Sequence, residues 1–520
     1  MEFTRRTMMA AGALVIAPNV VTSVSAQAQA QTVAAGRNYE ELAGLPWDRG
    51  FPTPEATRTL DDELYFQRAV QTYLWSLPAG NMYAMKEAQE KIHGSGYNVV
   101  AVFEKRLRSN TVITTPNSDV IYGLGFLDLG ESGPIVIEMP PKQQALIDDF
   151  WHRSIEGPTV DGVHYAADMG IPGPDKGEGG KYLIVPSNYS QPVDEKQYFV
   201  YRSKTNGVFV FLRSPFDDPN NLAPAVNRMK AIKIYPLMGQ AKPMTFKDAS
   251  DIPANYLAPR DGSYFELINR FIQSDRVDDV DPYMHGMLWA LGIKKGRDFK
   301  PTPRQKELLD VAARTGWKMA KNIAANYETR ENTLWYPDRQ WIAHTLIKPD
   351  DFSQTLLDER FNDRVTGHTF VDGKALMFID HYGASPGMTS SHIGVGAKYG
   401  DTYRDSKGEY LRGDYSYKIT LPPNPPVNLF WALTVYDTET ASGIQNGQPL
   451  FSVSSKSDLR KNPDGSVTIY MTPDAPPAGM DNNWVKTVPG RGWFCEARLY
   501  GPEKAFYDRT WRWGDFERFR

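Results

Sequence analysis

Phe430-Trp431-Ala432-Leu433-Thr434-Val435-Tyr436 reads as a β-strand. β-Branched and aromatic residues dominate it, and such residues fit a pleated, packed surface. Working outward, Ser416-Tyr417-Lys418-Ile419-Thr420-Leu421 and Val467-Thr468-Ile469-Tyr470-Met471 are of the same kind, and Trp493-Phe494-Cys495-Glu496-Ala497-Arg498-Leu499-Tyr500 alternates like a strand. The turn Asn462-Pro463-Asp464-Gly465 before one of these runs is a hairpin signal. The same texture returns far upstream, in Thr111-Val112-Ile113-Thr114, Val120-Ile121-Tyr122, Pro134 to Met139, Tyr182 to Val185 and Val208 to Leu212. Short runs separated by Gly, Pro and Asn/Asp are the signature of a β-sandwich.

Helical periodicity fills the remainder. Leu64, Ala69, Val70, Tyr73, Leu74 and Leu77 fall at helix-compatible intervals, and Pro78-Ala79-Gly80 predicts a break or kink. Leu222 to Lys233 predicts one helix, and Ser263 with Glu266 predicts a capping box at the start of another. Thr302-Pro303 opens a third, with Thr302 as N-cap and Pro303 in the first helical position, running to about Tyr327. The chain is therefore expected to be mainly β with a helical middle region.

The N-terminus carries Arg5-Arg6, an apolar run from Ala10 to Val21 and small residues to Ala26. This is the pattern of a secretory signal peptide, with paired arginines that suggest the twin-arginine route. The apolar run is too short for a membrane span, which needs roughly 20 residues. A periplasmic or secreted location is expected, with no stable membrane insertion. The 520 residues carry a net charge of −4 and no basic block, so a nucleic-acid partner is not expected. Cys495 is the single cysteine, which excludes an intrachain disulfide. It is expected to be a buried, inert thiol.

Pro116-Asn117-Ser118-Asp119-Val120-Ile121-Tyr122 resembles the Asn-x-Asp-x-x-Tyr signature of a bacterial two-domain family, DUF1254/DUF1214. Leu421-Pro422-Pro423-Asn424-Pro425-Pro426, Phe430 to Asp437, Asn462 to Ser466, Asn483-Trp484 and Arg498-Leu499-Tyr500-Gly501-Pro502 resemble its second domain. The resemblance implies an N-terminal immunoglobulin-like β-sandwich, a helical segment and a C-terminal jelly-roll-like β-sandwich. It implies no catalytic residues. The expected organisation is a signal peptide at 1–30, a leader at 31–60, a DUF1254-like sandwich with its preceding helix at 61–216, a helical linker region at 217–345 and a DUF1214-like sandwich at 346–520.

Candidate chemistry centres on Asp119, Asn117 and Tyr122. An amide and a carboxylate two residues apart can stabilise a turn, or can orient a substrate and act as general base. Trp151 and Arg153, which flank His152, and Trp484 are candidate substrate-binding residues. The pair Asp437/Glu439 is read as a loop. No His-x-x-x-His pair occurs; a trio of His368, His381 and His392 around the Gly/Ser-rich loop 383–391 is conceivable, but no metal and no cofactor are expected. Serine-hydrolase chemistry is not expected either. The expected function is an exported enzyme, hydrolase in type, acting on a small or oligomeric organic or carbohydrate substrate in a cleft between the β-domains. The alternatives are a non-catalytic periplasmic ligand- or glycan-binding protein and an envelope structural or assembly protein. A homo-oligomer is compatible with the sequence.

Overall fold

The computed structural model describes residues 39–276, 281–326, 334–342, 362–363, 368–389 and 393–520. The expected signal peptide, leader residues 31–38, His344, His392 and the domain boundary at 345/346 lie outside the described residues, as does the side chain of His368. Two compact units are present, Met1–Glu63 and Leu64–Arg520. The first contains the helix Tyr39–Ala43 and a hairpin pairing Trp47–Asp48 with Phe51–Pro52, turned by Arg49 and Gly50 in the left-handed region.

Two six-stranded sheets form the N-terminal β-module. One runs, in spatial order, Asp168–Gly170, Gln144–Asp149, Gly207–Pro215, Val120–Asp128, Val99–Val102 and Thr245–Asp248. The other runs Lys233–Pro236, Ile135–Met139, Gly180–Pro186, Phe199–Ser203, Glu156–Val160 and Val163–Ala166. Strands beyond residue 216 thus complete both sheets, separated from them in sequence by the helix Ala223–Lys230. Val100, Ile121, Val210 and Leu212 of the first sheet share a core with Ile137, Tyr182 and Ile184 of the second. The first sheet is buried on its other face too: Tyr122, Leu124, Phe126, Phe209 and Phe211 belong to a separate core shared with the helices and the C-terminal module. Strand Val120–Asp128 therefore reads as a nearly continuous apolar run.

The C-terminal β-module stacks two four-stranded sheets, Ala397–Thr402/Trp493–Pro502/Val427–Asp437/Ser452–Ser454 and Trp484–Lys486/Val467–Thr472/Tyr417–Leu421/Glu517–Arg518. Alternation along its central strand sends Cys495, Ala497 and Leu499 into the core and Glu496, Arg498 and Tyr500 to the opposite face.

The helices follow local sequence in part. Thr302 caps Pro303–Ala325 through a full capping box with Gln305. Ser263–Ser274 starts differently from its prediction. Gly262 is its cap, with no capping box, and the carboxylate of Asp261 accepts from both the backbone N–H and the hydroxyl of Ser263. The helix Pro54–His93 runs through Pro78 uninterrupted. Burial overrides the local breaker here: Ala79 and Met82 are fully buried, and a Cβ on Gly80 would lie 2.6 Å from the ring of Tyr264. Among the described residues, no helix is long and apolar enough to cross a membrane.

Candidate functional site

A cavity of about 130 Å³ lies where the two β-modules face each other. Sheet register explains its walls. On the N-terminal side, Arg213 and Tyr122 are direct cross-strand partners, and Gln144 partners Arg213 from the other side. On the C-terminal side, Tyr399 stands opposite Arg498 and Asp401 opposite Glu496. The helix Val371–Asp380 and the loop after it close the pocket with His381, Tyr382 and Ser385.

Arg213 is half-buried, and its guanidinium lies 4.6 Å from the ring centroid of Phe211. It donates to the sulfur of Met388 at 3.4 Å and hydrogen-bonds the hydroxyl of Tyr399, while its Nε has no hydrogen-bond partner; among the described residues it makes no ion pair, although its charge acts on the carboxyls of Asp148 and Asp168. The hydroxyl groups of Tyr122, Tyr382, Tyr399 and Tyr500 share the cavity. Burial pushes the pKa of Tyr122 up to about 12 and raises those of the other three, so all four are hydroxyl donors at neutral pH.

The second arginine is saturated. Arg498 donates to Thr434 Oγ1 at 2.8 Å, to the hydroxyl of Tyr436 at 2.5 Å and to the carbonyl of Thr115 at 2.9 Å, and it pairs with Glu496 at 2.9 Å. His381 places its Nδ1 3.2 Å from the carbonyl of Met377 and its Nε2 3.1 Å from Asp401 Oδ2. Across the pocket, Asp168 accepts from the N–H of Gly387 at 2.7 Å and from Ser385, and burial raises its pKa to about 6.

Asn117, Asp119 and Tyr122 meet at this pocket, as a turn followed by a strand. Asn117 Oδ1 accepts the N–H of Asp119 at 2.8 Å, and its amide donates to the hydroxyl of Tyr500. Asp119 pairs with Arg106 at 2.6 Å and is reached by Ser454 Oγ at 3.4 Å. Pro116 accepts from the hydroxyl of Tyr436 at 2.7 Å. The segment Thr115–Asp119 thus ties one module to the other as well as lining the cavity.

Trp151 and Arg153 lie elsewhere, in a larger cleft of about 720 Å³ with Trp75 and His285. Trp151 packs on Trp75 at 4.5 Å between ring centroids, and Arg153 pairs with Asp149. Trp484 joins neither cavity; its indole donates to Thr472 O at 3.3 Å. His152 is buried with Nδ1 2.9 Å from the carbonyl of Pro78, and burial lowers its pKa to about 4. Asp437 folds its own turn, accepting from Glu439 N and Thr440 N, and pairs with Arg491. Cys495 is buried, with its thiol pKa raised by burial.

The sequence alone assigned no role to Arg213, Asp168, Asp401 or Glu496, although Asp168 stood out as polar material beside His164 and Tyr165. The expectation against serine-hydrolase chemistry rested on the chain having no Gly-x-Ser-x-Gly elbow, yet Gly383-x-Ser385-x-Gly387 has that spacing. The structure places that loop after a helix rather than a strand, and Ser385 meets Asp168 rather than an imidazole. It is therefore not the strained elbow of an α/β-hydrolase.

Two family models match the chain, protein of unknown function DUF1254 over residues 97–236 and protein of unknown function DUF1214 over residues 396–504. Arg213 and Tyr122 fall in the first; Tyr399, Asp401, Glu496, Arg498 and Tyr500 fall in the second. No curated protein matches the chain. The crystal structure of the VPA0106 protein from Vibrio parahaemolyticus is similar at 18% identity and a TM-score of 0.49, over 88% of this chain and 100% of that one. An uncharacterized protein from Burkholderia cenocepacia is similar at 13% identity and a TM-score of 0.40, over 93% of this chain and 99% of that one. The chain belongs to the two-domain DUF1254/DUF1214 family.

Proposed function

We propose that the protein is an exported, periplasmic enzyme of hydrolase type that draws a small organic anion into the pocket between its β-modules. Arg213 carries this reading. A guanidinium keeps its charge at any physiological pH, and one that lines a pocket without an ion pair to Asp148 or Asp168 keeps donors for an anionic ligand. Four tyrosine hydroxyls around it supply further donors to carboxylate oxygens. The cavity volume favours a small molecule over an oligomeric glycan, since pockets for drug-sized ligands are several times larger, roughly 300–1,000 Å³. Asp168, with a pKa near 6, is suited to accept and return a proton close to neutral pH. Of the residues expected from sequence, Tyr122 faces the anion, while Asn117 and Asp119 hold the two modules together. The arginine-led N-terminus supports export.

Calorimetry with a panel of small carboxylates (acetate, benzoate, succinate), the products of ester and amide hydrolysis, tests the reading. At least one member is expected to bind, and Arg213→Met to weaken it by tenfold or more. Asp168→Asn is expected to retain that binding and to lower hydrolysis of the matching ester by about 100-fold. Unchanged affinity in Arg213→Met would refute the anion pocket. Binding without any hydrolysis by the natural protein would leave the binding-protein alternative standing instead.

A further inference from the structure

We infer that His381, Asp401 and Glu496 form a binding site for a divalent cation of the Zn²⁺/Mn²⁺ class. The strand register sets Asp401 directly opposite Glu496, so two carboxylates are held side by side on the buried face. His381 follows the end of the helix Val371–Asp380 and approaches from a different element. One donor atom from each of the three lies within 4.8 Å of the others, and the imidazole Nε2 is 3.1 Å from Asp401 Oδ2. Ligands held at ~2.1 Å from a common ion stand roughly 3–3.5 Å apart, so little movement is needed to close a coordination shell.

The orientation of the imidazole fits the same role. A metal-bound histidine gives its other ring N–H to a carbonyl or carboxylate, which fixes the tautomer. Here Nδ1 faces Met377 O and leaves Nε2 toward the two acids. One nitrogen and two carboxylates, with no thiolate, suit Zn²⁺ or Mn²⁺ rather than a soft ion. His381 and Glu496 line the cavity that also holds Arg213, so open coordination positions would face its contents. Cation binding stands on this geometry alone, whereas its use in turnover rests on the anion-pocket reading.

Zn²⁺ and Mn²⁺ titrated calorimetrically into chelator-treated full-length protein are expected to bind one per chain. His381→Gln and Glu496→Gln are expected to weaken binding by ~10-fold or more. Electron spin-echo spectroscopy of the Mn²⁺-loaded natural protein is expected to show coupling to a single imidazole nitrogen, a readout that does not depend on whether a variant folds. Arg213→Met is expected to keep full cation affinity, which separates the two proposals. Failure of both ions to bind, affinity unchanged in both variants, or Mn²⁺ bound without nitrogen coupling would overturn the site.

Discussion

Arg213 and Asp168 occupy the same cavity with opposite electrostatic histories. The arginine keeps its charge despite partial burial, whereas burial drives the carboxyl toward its neutral form. Asp168 has a pKa near 6 in the folded chain against an ordinary 3.8. Its contribution to stability is therefore fully present below about pH 4 and is lost as pH rises through 6, because the folded state then holds a desolvated charge. The shift corresponds to at most ~3 kcal/mol. Asp168→Asn removes the titration but keeps an oxygen for the N–H of Gly387, which donates to the carboxylate at 2.7 Å. Urea unfolding should find this variant more stable than the natural protein at pH 8, by up to that amount, and nearly equal to it at pH 4. A stability difference independent of pH would mean that the carboxyl is not strained in this way. Greater stability with lost turnover is the mark of a group held in an unfavourable state for chemistry.

The segment Thr115–Asp119 shows why a short sequence signature can carry structure and function together. Thr115, Pro116 and Asn117 contact Arg498, Tyr436 and Tyr500 respectively, all on one sheet of the other module. Asn117→Ala would strip the tyrosine hydroxyl and the N–H of Asp119 of their buried partner. A loss of about 2–3 kcal/mol in denaturant unfolding is expected, and a double-mutant cycle with Tyr500→Phe should return a coupling of about 1 kcal/mol. A coupling near zero would show that the contact does no stabilising work between the modules. Elements of this kind were readable from sequence wherever the signal was local. The alternation of Trp493–Tyr500 predicted a strand; Thr302-Pro303 predicted its helix start. What could not be read was convergence. Arg213 lies on a strand whose apolar partners Val208 to Leu212 look like ordinary core, and Asp401 becomes notable only because pairing sets it against Glu496. The local cluster Trp151-His152-Arg153 shows the converse: its neighbours in space come from helices, Trp75 and His285, and build a different cleft.

Across residues 64–520, one apolar core joins both modules to the helices, with Tyr73, Phe211, Trp341, Leu433 and Trp493 in a single cluster. A pocket built between two modules stays open and well formed only if they do not slide, and this shared core with the polar contacts of Arg498 supplies that restraint. Such a chain should not unfold module by module. Calorimetry is expected to show Leu64–Arg520 melting in one transition, with van't Hoff and calorimetric enthalpies nearly equal. Arg498→Met would leave Glu496 buried without its guanidinium, and breaking a buried pair on one side costs about 3–5 kcal/mol. That variant should melt at a lower temperature while keeping a single transition, because the apolar cluster still couples the modules. Two resolved transitions in Arg498→Met would locate the coupling in the arginine rather than in the core. Two in the natural protein would mean that the modules are held together too weakly to keep Arg213 and Glu496 facing one ligand.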